Sequence, residues 1–317
     1  MRLLVLGAKG FVGSAVVRLA MASRYTVGAV SRPSTPGDRL AGLEGKVDLL
    51  SAELSDAAQI IRLVRDWRPE AIVQAAFNAG HGTQDVTGRL DYFQRGVAPA
   101  LALALALEAT AYQGTLVHAG SAMSFGATGS PHRADDRLAP STPRGVVKAT
   151  CALVYEQASQ TAGFRLVELF IYSVYGPWEQ RGRLIPEFLR AGLDGGTVRL
   201  TPVGHLRNWV HVDDVAAACL AAARRAPSGA SRVIVGSDRA VATTHEVARH
   251  LETIVGRPLV RDTTLPVTDR YGDDQLTLDP AAGQALIGWS PTIGLPAGLE
   301  TTWRWANTPA GRKHLLA

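Results

Sequence analysis

Residues 3–13 read Leu3-Leu4-Val5-Leu6-Gly7-Ala8-Lys9-Gly10-Phe11-Val12-Gly13, and this stretch decides the fold. An apolar run leads straight into a Gly-x-x-Gly-x-x-Gly turn. A helix-like segment, Ser14 to Ala22, follows, and a second apolar run ends at Val30-Ser31-Arg32. Strand, glycine turn, helix, strand is the unit that holds a dinucleotide pyrophosphate. Its glycines let the backbone approach the phosphates, and its helix N-terminus supplies N–H groups and partial positive charge. The spacing carries weight because of this setting between a first strand and a helix. It predicts a cofactor cradle at Gly7, Gly10, Phe11, Val12 and Gly13, against the plainer alternative of a glycine turn without a ligand.

The end of the second apolar run distinguishes cofactors. A carboxylate there binds the ribose 2′-OH of NAD, whereas an arginine suits the 2′-phosphate of NADP. This chain has Ser31-Arg32 and no acid until Asp38. The expectation is NADP, with NAD possible, and a merely solvated Arg32 is the alternative.

Further strands are expected at Val47-Asp48-Leu49-Leu50, Ala71 to Ala76, Thr115 to Ala119 and Arg165 to Ile171. Ser55 or Asp56 caps a helix through Trp67. The run from Gly96 to Ala109 alternates Ala and Leu in a strand-like pattern. Its length and helix-forming composition predict a helix covered on several sides. Six strands with intervening helices predict a doubly wound parallel α/β sheet, the Rossmann arrangement. Residues 1–172 form this core, to which 208–236 return. The returning segment has Asp213 or Asp214 capping a helix through Arg224 and one more strand at Arg232 to Val235, and residues 173–207 and 237–317 form a smaller substrate-side lobe.

The 317 residues are 46% hydrophobic and 19% charged, an ordinary globular composition rather than a disordered one. A net charge of +5 favours acidic small molecules. The Lys and Arg residues are scattered, so a localised anion site is preferred to a nucleic-acid face. Cys151 and Cys219 have no metal-type spacing and read as core thiols. No signal peptide or membrane span is expected, which makes the cytoplasm the default. Ser121 lies in Ala-Gly-Ser-Ala-Met rather than a Gly-x-Ser-x-Gly elbow, which argues against a serine hydrolase. Asp135-Asp136 and Asp273-Asp274 read as solvated or capping pairs.

Several motifs now stand in order: Gly7/Gly10/Gly13, Glu53-Leu54-Ser55-Asp56, Ala75-Ala76, Ser121 ahead of Phe125-Gly126, Lys148, Tyr175-Gly176-Pro177, and Arg207-Asn208-Trp209-Val210-His211-Val212-Asp213-Asp214. From Met1 to about Val215 the chain resembles the extended short-chain dehydrogenases/reductases, and within them the NAD-dependent epimerase/dehydratase group that acts on nucleotide sugars. The resemblance implies that Gly7, Gly10 and Gly13 hold the pyrophosphate, Glu53 and Leu54 lie near the adenine, and Ala75 and Ala76 lie beside the ribose and nicotinamide. It implies that Ser121 hydrogen-bonds the reacting oxygen of the substrate and that Lys148 binds the nicotinamide ribose. It further implies that Arg207 grips the nucleotide diphosphate and that the helices after strands four and five pair in a homodimer.

One position departs from the pattern. The family's acid/base tyrosine stands four residues before the lysine, and here that residue is Arg144. A guanidinium stays protonated and does not trade a proton with an alcohol. Gly96 also stands where an asparagine is usual, and Phe170 and Ser173 stand where an arginine and an asparagine are.

Three readings follow: another group moves the proton, Arg144 holds a carboxylate or phosphate of the substrate, or the site binds cofactor without turnover. A substitute acid must reach the substrate oxygen near Ser121. Tyr172 and Tyr175, at the end of strand six, are candidates, as are Tyr92, His81 and Asp85 in or after the strand-four loop. His118 reads as a satisfied core histidine, and His211 and Tyr175 as structural. The expected activity is that of a nicotinamide-dependent oxidoreductase or epimerase-like enzyme on a nucleotide sugar or similarly anionic ketone or alcohol. The alternatives are a cofactor-bound sensor or partner subunit, and a non-redox lyase or isomerase.

Overall fold

The computed structural model describes residues 1–77, 86–126, 130–202, 204–237, 240–262, 278 and 281–317. Up to Ile171 the chain alternates strand and helix: β1 (Arg2–Leu6), α1 (Phe11–Ala22), β2 (Thr26–Ser31), β3 (Asp48–Ser51), α2 (Ala57–Trp67), β4 (Ala71–Gln74), α3 (Val86–Ala109), β5 (Thr115–Ala119), α4 (Pro143–Ala162) and β6 (Arg165–Ile171). Then follow β7 (Ser173–Tyr175), α5 (Leu184–Asp194), β8 (Val198–Arg199), β9 (Leu206–His211), α6 (Val212–Arg225) and β10 (Ala230–Val235). The chain continues with β11 (Val241–Thr243), α7 (Thr244–Val255), β12 (Val260–Asp262), α8 (Ala281–Ile287), α9 (Leu295–Ala306) and α10 (Pro309–Leu316).

The strands of the first group are apolar on both faces, as a covered parallel sheet requires. They form a seven-stranded parallel sheet in the order β10-β6-β5-β4-β1-β2-β3. Six strands come from the first half, and β10 supplies the seventh at the edge beside β6. One face is covered by α1 and α6, packed on Val5, Val73, Val117 and Val167. The other is covered by α2, α3 and α4, packed on Leu4, Ile72, Leu116 and Leu166. Strand order reverses between β1 and β4, and in such sheets the crevice beyond their C-terminal ends is where ligands bind. Strand β9 pairs instead with β7 and β11 in a separate three-stranded sheet. A further core under α5, α7, α9 and α10 is built around Phe188, Trp209, Leu251 and Leu299.

Local chemistry explains the helix ends and corrects two expectations. Asp56 caps α2 by accepting from Gln59 N, and Thr243 and Glu246 form a reciprocal capping box on α7. The cap of α6 is neither Asp213 nor Asp214: the His211 side chain accepts from Asp213 N. Asp214 is buried, and its carboxylate instead accepts from Thr292 N, Thr292 Oγ1 and Ile293 N at 2.9–3.0 Å, anchoring the start of the last helices.

Helix α3 begins at Val86, so Tyr92, expected in or after the strand-four loop, lies in the helix that follows it. Its Ala-Leu alternation resolves into two stripes at four-residue spacing. Leu103 and Leu107 are buried, whereas Leu101 and Leu105 are exposed, so the helix is covered by α2, α4 and the sheet and leaves one face open. Gly96 has a packing reason, because a Cβ there would press into Val147 of α4. Among the described residues no helix is long and apolar enough to cross a membrane.

Candidate cofactor and active site

The β1–α1 turn is built from backbone. Gly7 has φ +81°, a conformation that side chains other than glycine's resist, and a Cβ there would stand 2.6 Å from the backbone of Ala76. A Cβ on Gly13 would strike the Gly7 carbonyl. Gly7 N donates to Val30 O, and Gly10 N to Gly7 O at 2.8 Å. The first i→i−4 bond of α1 is Ser14 N to Gly10 O, so the N–H groups of Phe11, Val12 and Gly13 are not used within the helix. Gly10 brings no capping side chain, and the first turn carries no acid to compete for an anion. These residues fit a dinucleotide pyrophosphate.

The flanks of the cradle are in place. Ala75 N donates to Leu6 O and Ala76 N to Gln74 Oε1, which holds both alanines against the glycine turn. Ser31 is buried at the end of β2, and Arg32 is exposed beside it. Lys9 reaches from the glycine turn to Thr35 O at 2.9 Å. Leu54 is buried under α2, and the exposed Glu53 accepts from Ser55 Oγ.

Ser121 lies just beyond β5, where its Oγ accepts from Met123 N at 3.3 Å and caps a short turn over Ala122–Ser124. Helix α4 is docked against that turn. Thr142 caps it by accepting from Gly145 N, Pro143 opens it, and Gly145 leaves no side chain to strike the Met123 carbonyl. Arg144 and Lys148, one helical turn apart, therefore share a face. Both pack on Phe77: the Arg144 guanidinium carbon is 5.1 Å from the ring centroid and the Lys148 Nζ 4.4 Å. Lys148 is buried and donates to Ala119 O at 2.8 Å. Burial pulls its pKa down to about 8, with Arg144 acting in the same direction and Cys151 and Glu168 opposing. Phe77 is a site residue that sequence reasoning missed, and its only signal is its place directly after Ala75-Ala76.

The substitute acids fare differently. Tyr172 is buried in a cluster with Phe125, Phe170, Ile234 and Leu278, and its hydroxyl is 2.8 Å from His132 Nδ1. Burial and then Asp136 push its pKa far above the usual phenol value. Tyr175 is likewise buried, donates to Leu295 O, and stacks edge-on against His211. His118 is paired with Glu168 inside the sheet. Tyr92 stacks edge-on with Phe93. His81, Asp85 and Asp273-Asp274 lie outside the described residues. Arg207 stands on β9, where its Nη1 donates to Leu206 O. Asp136 accepts from Arg133 N, and Asp135 pairs with Arg133 at 3.5 Å. Both cysteines are buried free thiols. Among the described residues no His/Cys/Asp/Glu group is arranged for a metal ion.

A family model for the NAD-dependent epimerase/dehydratase family matches residues 3–236, beyond the extent at which the motifs fade. The dTDP-glucose 4,6-dehydratase of Salmonella typhimurium is 24% identical, over 97% of this chain and 94% of its own. The dTDP-L-rhamnose 4-epimerase of Burkholderia thailandensis is 27% identical, over 99% of this chain and 97% of its own. Among solved structures, the dTDP-glucose 4,6-dehydratase DesIV from Streptomyces venezuelae, with NAD bound, superposes with a TM-score of 0.86 at 25% identity, covering 98% of each chain.

Proposed function

Because the chain belongs to the NAD-dependent epimerase/dehydratase family, we propose that it is a nicotinamide-dependent oxidoreductase or epimerase-like enzyme acting on a nucleotide-linked sugar or a similarly anionic ketone or alcohol. The observation that carries this reading is the packing of Arg144 and Lys148 on Phe77, with Lys148 bonded to Ala119 O two residues before Ser121, at the C-terminal end of β5. Gly7, Gly10, Phe11, Val12 and Gly13 hold the pyrophosphate, Ala75 and Ala76 the nicotinamide half, and Glu53 and Leu54 the adenine. When bound there, a nicotinamide dinucleotide supplies hydride transfer, and the protein supplies position and charge.

In this reading Ser121 donates a hydrogen bond to the substrate oxygen. Lys148 is the group at the site that exchanges a proton near neutrality. Arg144 holds a carboxylate or phosphate of the substrate, and Arg207 grips its nucleotide diphosphate. NADP is preferred to NAD, because Ser31-Arg32 replace the ribose-binding acid and Lys9 reaches into the same loop. A nucleotide-linked substrate and two free thiols suit the cytoplasm. The exposed Leu101 and Leu105 of α3 and Leu153 of α4 form the face of a homodimer.

Incubating the purified protein with NADPH or NADH and a panel of nucleotide 4-keto sugars tests the redox reading. Consumption of reduced nicotinamide with any of them supports it. Tight cofactor binding without consumption favours the second reading, a sensor or partner subunit, for which Arg144 in the tyrosine's place is the specific observation. Arg144→Tyr separates the roles of that residue: activity rises if the guanidinium merely blocks chemistry and is lost if it holds the substrate's anion. Tighter binding of NADH than of NADPH defeats the NADP assignment, and a monomer in light scattering defeats the dimer.

A further inference from the structure

Against Gly120, next to the carbonyl that holds Lys148, lies a buried acid that the proposed chemistry leaves unused. Glu168 of β6 is wholly buried and stands in register with His118 of β5. His118 Nδ1 donates to Glu168 Oε2 at 2.7 Å, and Tyr155 stacks edge-on against the imidazole. The other oxygen, Oε1, is buried with no hydrogen-bond partner. It rests against Gly120, where a Cβ would collide with it. Gly120 sits between Ala119, whose carbonyl holds Lys148, and Ser121. The absent side chain at position 120 is thus what admits a carboxylate under the reacting groups.

A buried carboxylate with an unmatched oxygen is costly unless a cation compensates it. Among the described residues, the titratable groups acting on Lys148 are Arg144 and Cys151 from α4 and Glu168 from β6, with His118 of β5 behind the carboxylate. Of these, Cys151 and then Glu168 raise the lysine's proton affinity against burial and Arg144, and Glu168 is the only carboxylate. We propose that Glu168, fixed by His118, is the counter-charge that keeps Lys148 protonated beside Ser121. It is thereby a positioning residue of a pocket in which Arg144 occupies the tyrosine's place. This deepens the functional reading above and rests on it for its catalytic meaning, whereas the pairing itself is tested without turnover.

The chain's lysines are Lys9, Lys46, Lys148 and Lys313, few enough to follow singly by NMR with isotope-labelled lysine ε-carbons. Loss of a signal in Lys148→Arg assigns Lys148. Its midpoint is expected near pH 8, to fall by about one unit or more in Glu168→Gln, and to rise in Arg144→Gln. Gly120→Ala, whose methyl displaces the carboxylate, lowers the midpoint as well and serves if Glu168→Gln does not fold. A midpoint that stays put in folded Glu168→Gln or Gly120→Ala, or one shared with the exposed lysines, overturns the proposal. Failure of the keto-sugar assay alongside the expected shifts defeats the enzymatic reading and leaves the Glu168–Lys148 pairing standing.

Discussion

The two sides of the crevice are made of different material. At the β1–α1 turn the groups proposed to bind ligand are backbone amides, and side chains matter chiefly by being absent at Gly7 and Gly13. At the β5–α4 side the groups are Ser121, Arg144, Lys148 and Phe77, side chains brought together from three separate stretches of chain. A backbone site tolerates drift in its neighbours as long as the glycines persist. A side-chain site changes chemistry with one substitution while its scaffold stays intact. In the proposed reading, this chain keeps the first and carries Arg144 in the second.

The contrast breaks most sharply at Ser121. Ser121→Ala removes a donor to the reacting oxygen and is expected to lower kcat by about 10²–10³-fold. Cofactor affinity should stay within a few-fold, so the two sides respond separately in kinetics and in a fluorescence titration. An equal loss in both measurements shows that they are one unit.

Next in size is Gly13→Val. Its Cβ must displace the Gly7 carbonyl, and overpacking of about 3 kcal/mol corresponds to roughly 100-fold weaker dinucleotide binding. Phe11→Leu, which leaves the amides in place, should change affinity little. Isothermal titration of both variants decides whether the turn is a backbone site.

The side-chain half also leaves a mark on stability. The folded chain releases the Lys148 proton near pH 8, whereas the unfolded chain keeps it to lysine's ordinary 10.5. Between those values the unfolded state binds the extra proton, so this residue's contribution to stability grows as pH rises. The difference between wild type and Lys148→Met in urea midpoints should therefore climb from about pH 8 to about pH 10.5. A flat difference means that Lys148 is not a buried amine. The smallest effect belongs to Thr142→Ala, which loses the α4 cap at a cost of about 1 kcal/mol in the same assay.

The backbone half was legible in the sequence because spacing encodes it. Three glycines between an apolar run and a helix specify the turn, and near-continuous apolar runs specify a covered parallel sheet. The side-chain half was legible only in part. Ser121, Arg144 and Lys148 stood out by position, but Phe77 meets Arg144 and Lys148 through cation–π contacts, which no local pattern records. Glu168 was visible as a lone acid in Leu-Val-Glu-Leu-Phe, yet only strand register shows that His118 lies opposite. The place of Tyr172 at a strand end does not reveal that its hydroxyl faces His132. The α6 cap was misread for a similar reason. Two aspartates follow His211, and their preference for caps hid the imidazole that does the work, while Asp214 turns inward to Thr292.

The last helix reaches back to the loop behind the cofactor turn. Lys313 pairs with Asp38, His314 Nε2 donates to Glu179 O, and Arg39, next to Asp38, donates to both Trp178 O and Lys9 O. Asp38 and Lys313 are 275 residues apart. At ribosomal speeds of about 5–20 residues per second, that separation amounts to roughly a quarter of a minute to a minute of translation. During that interval the glycine turn is already outside the ribosome while the helix that braces its neighbouring loop is still unmade. A newborn chain therefore meets the cellular pool of dinucleotide before its grip on that loop is complete.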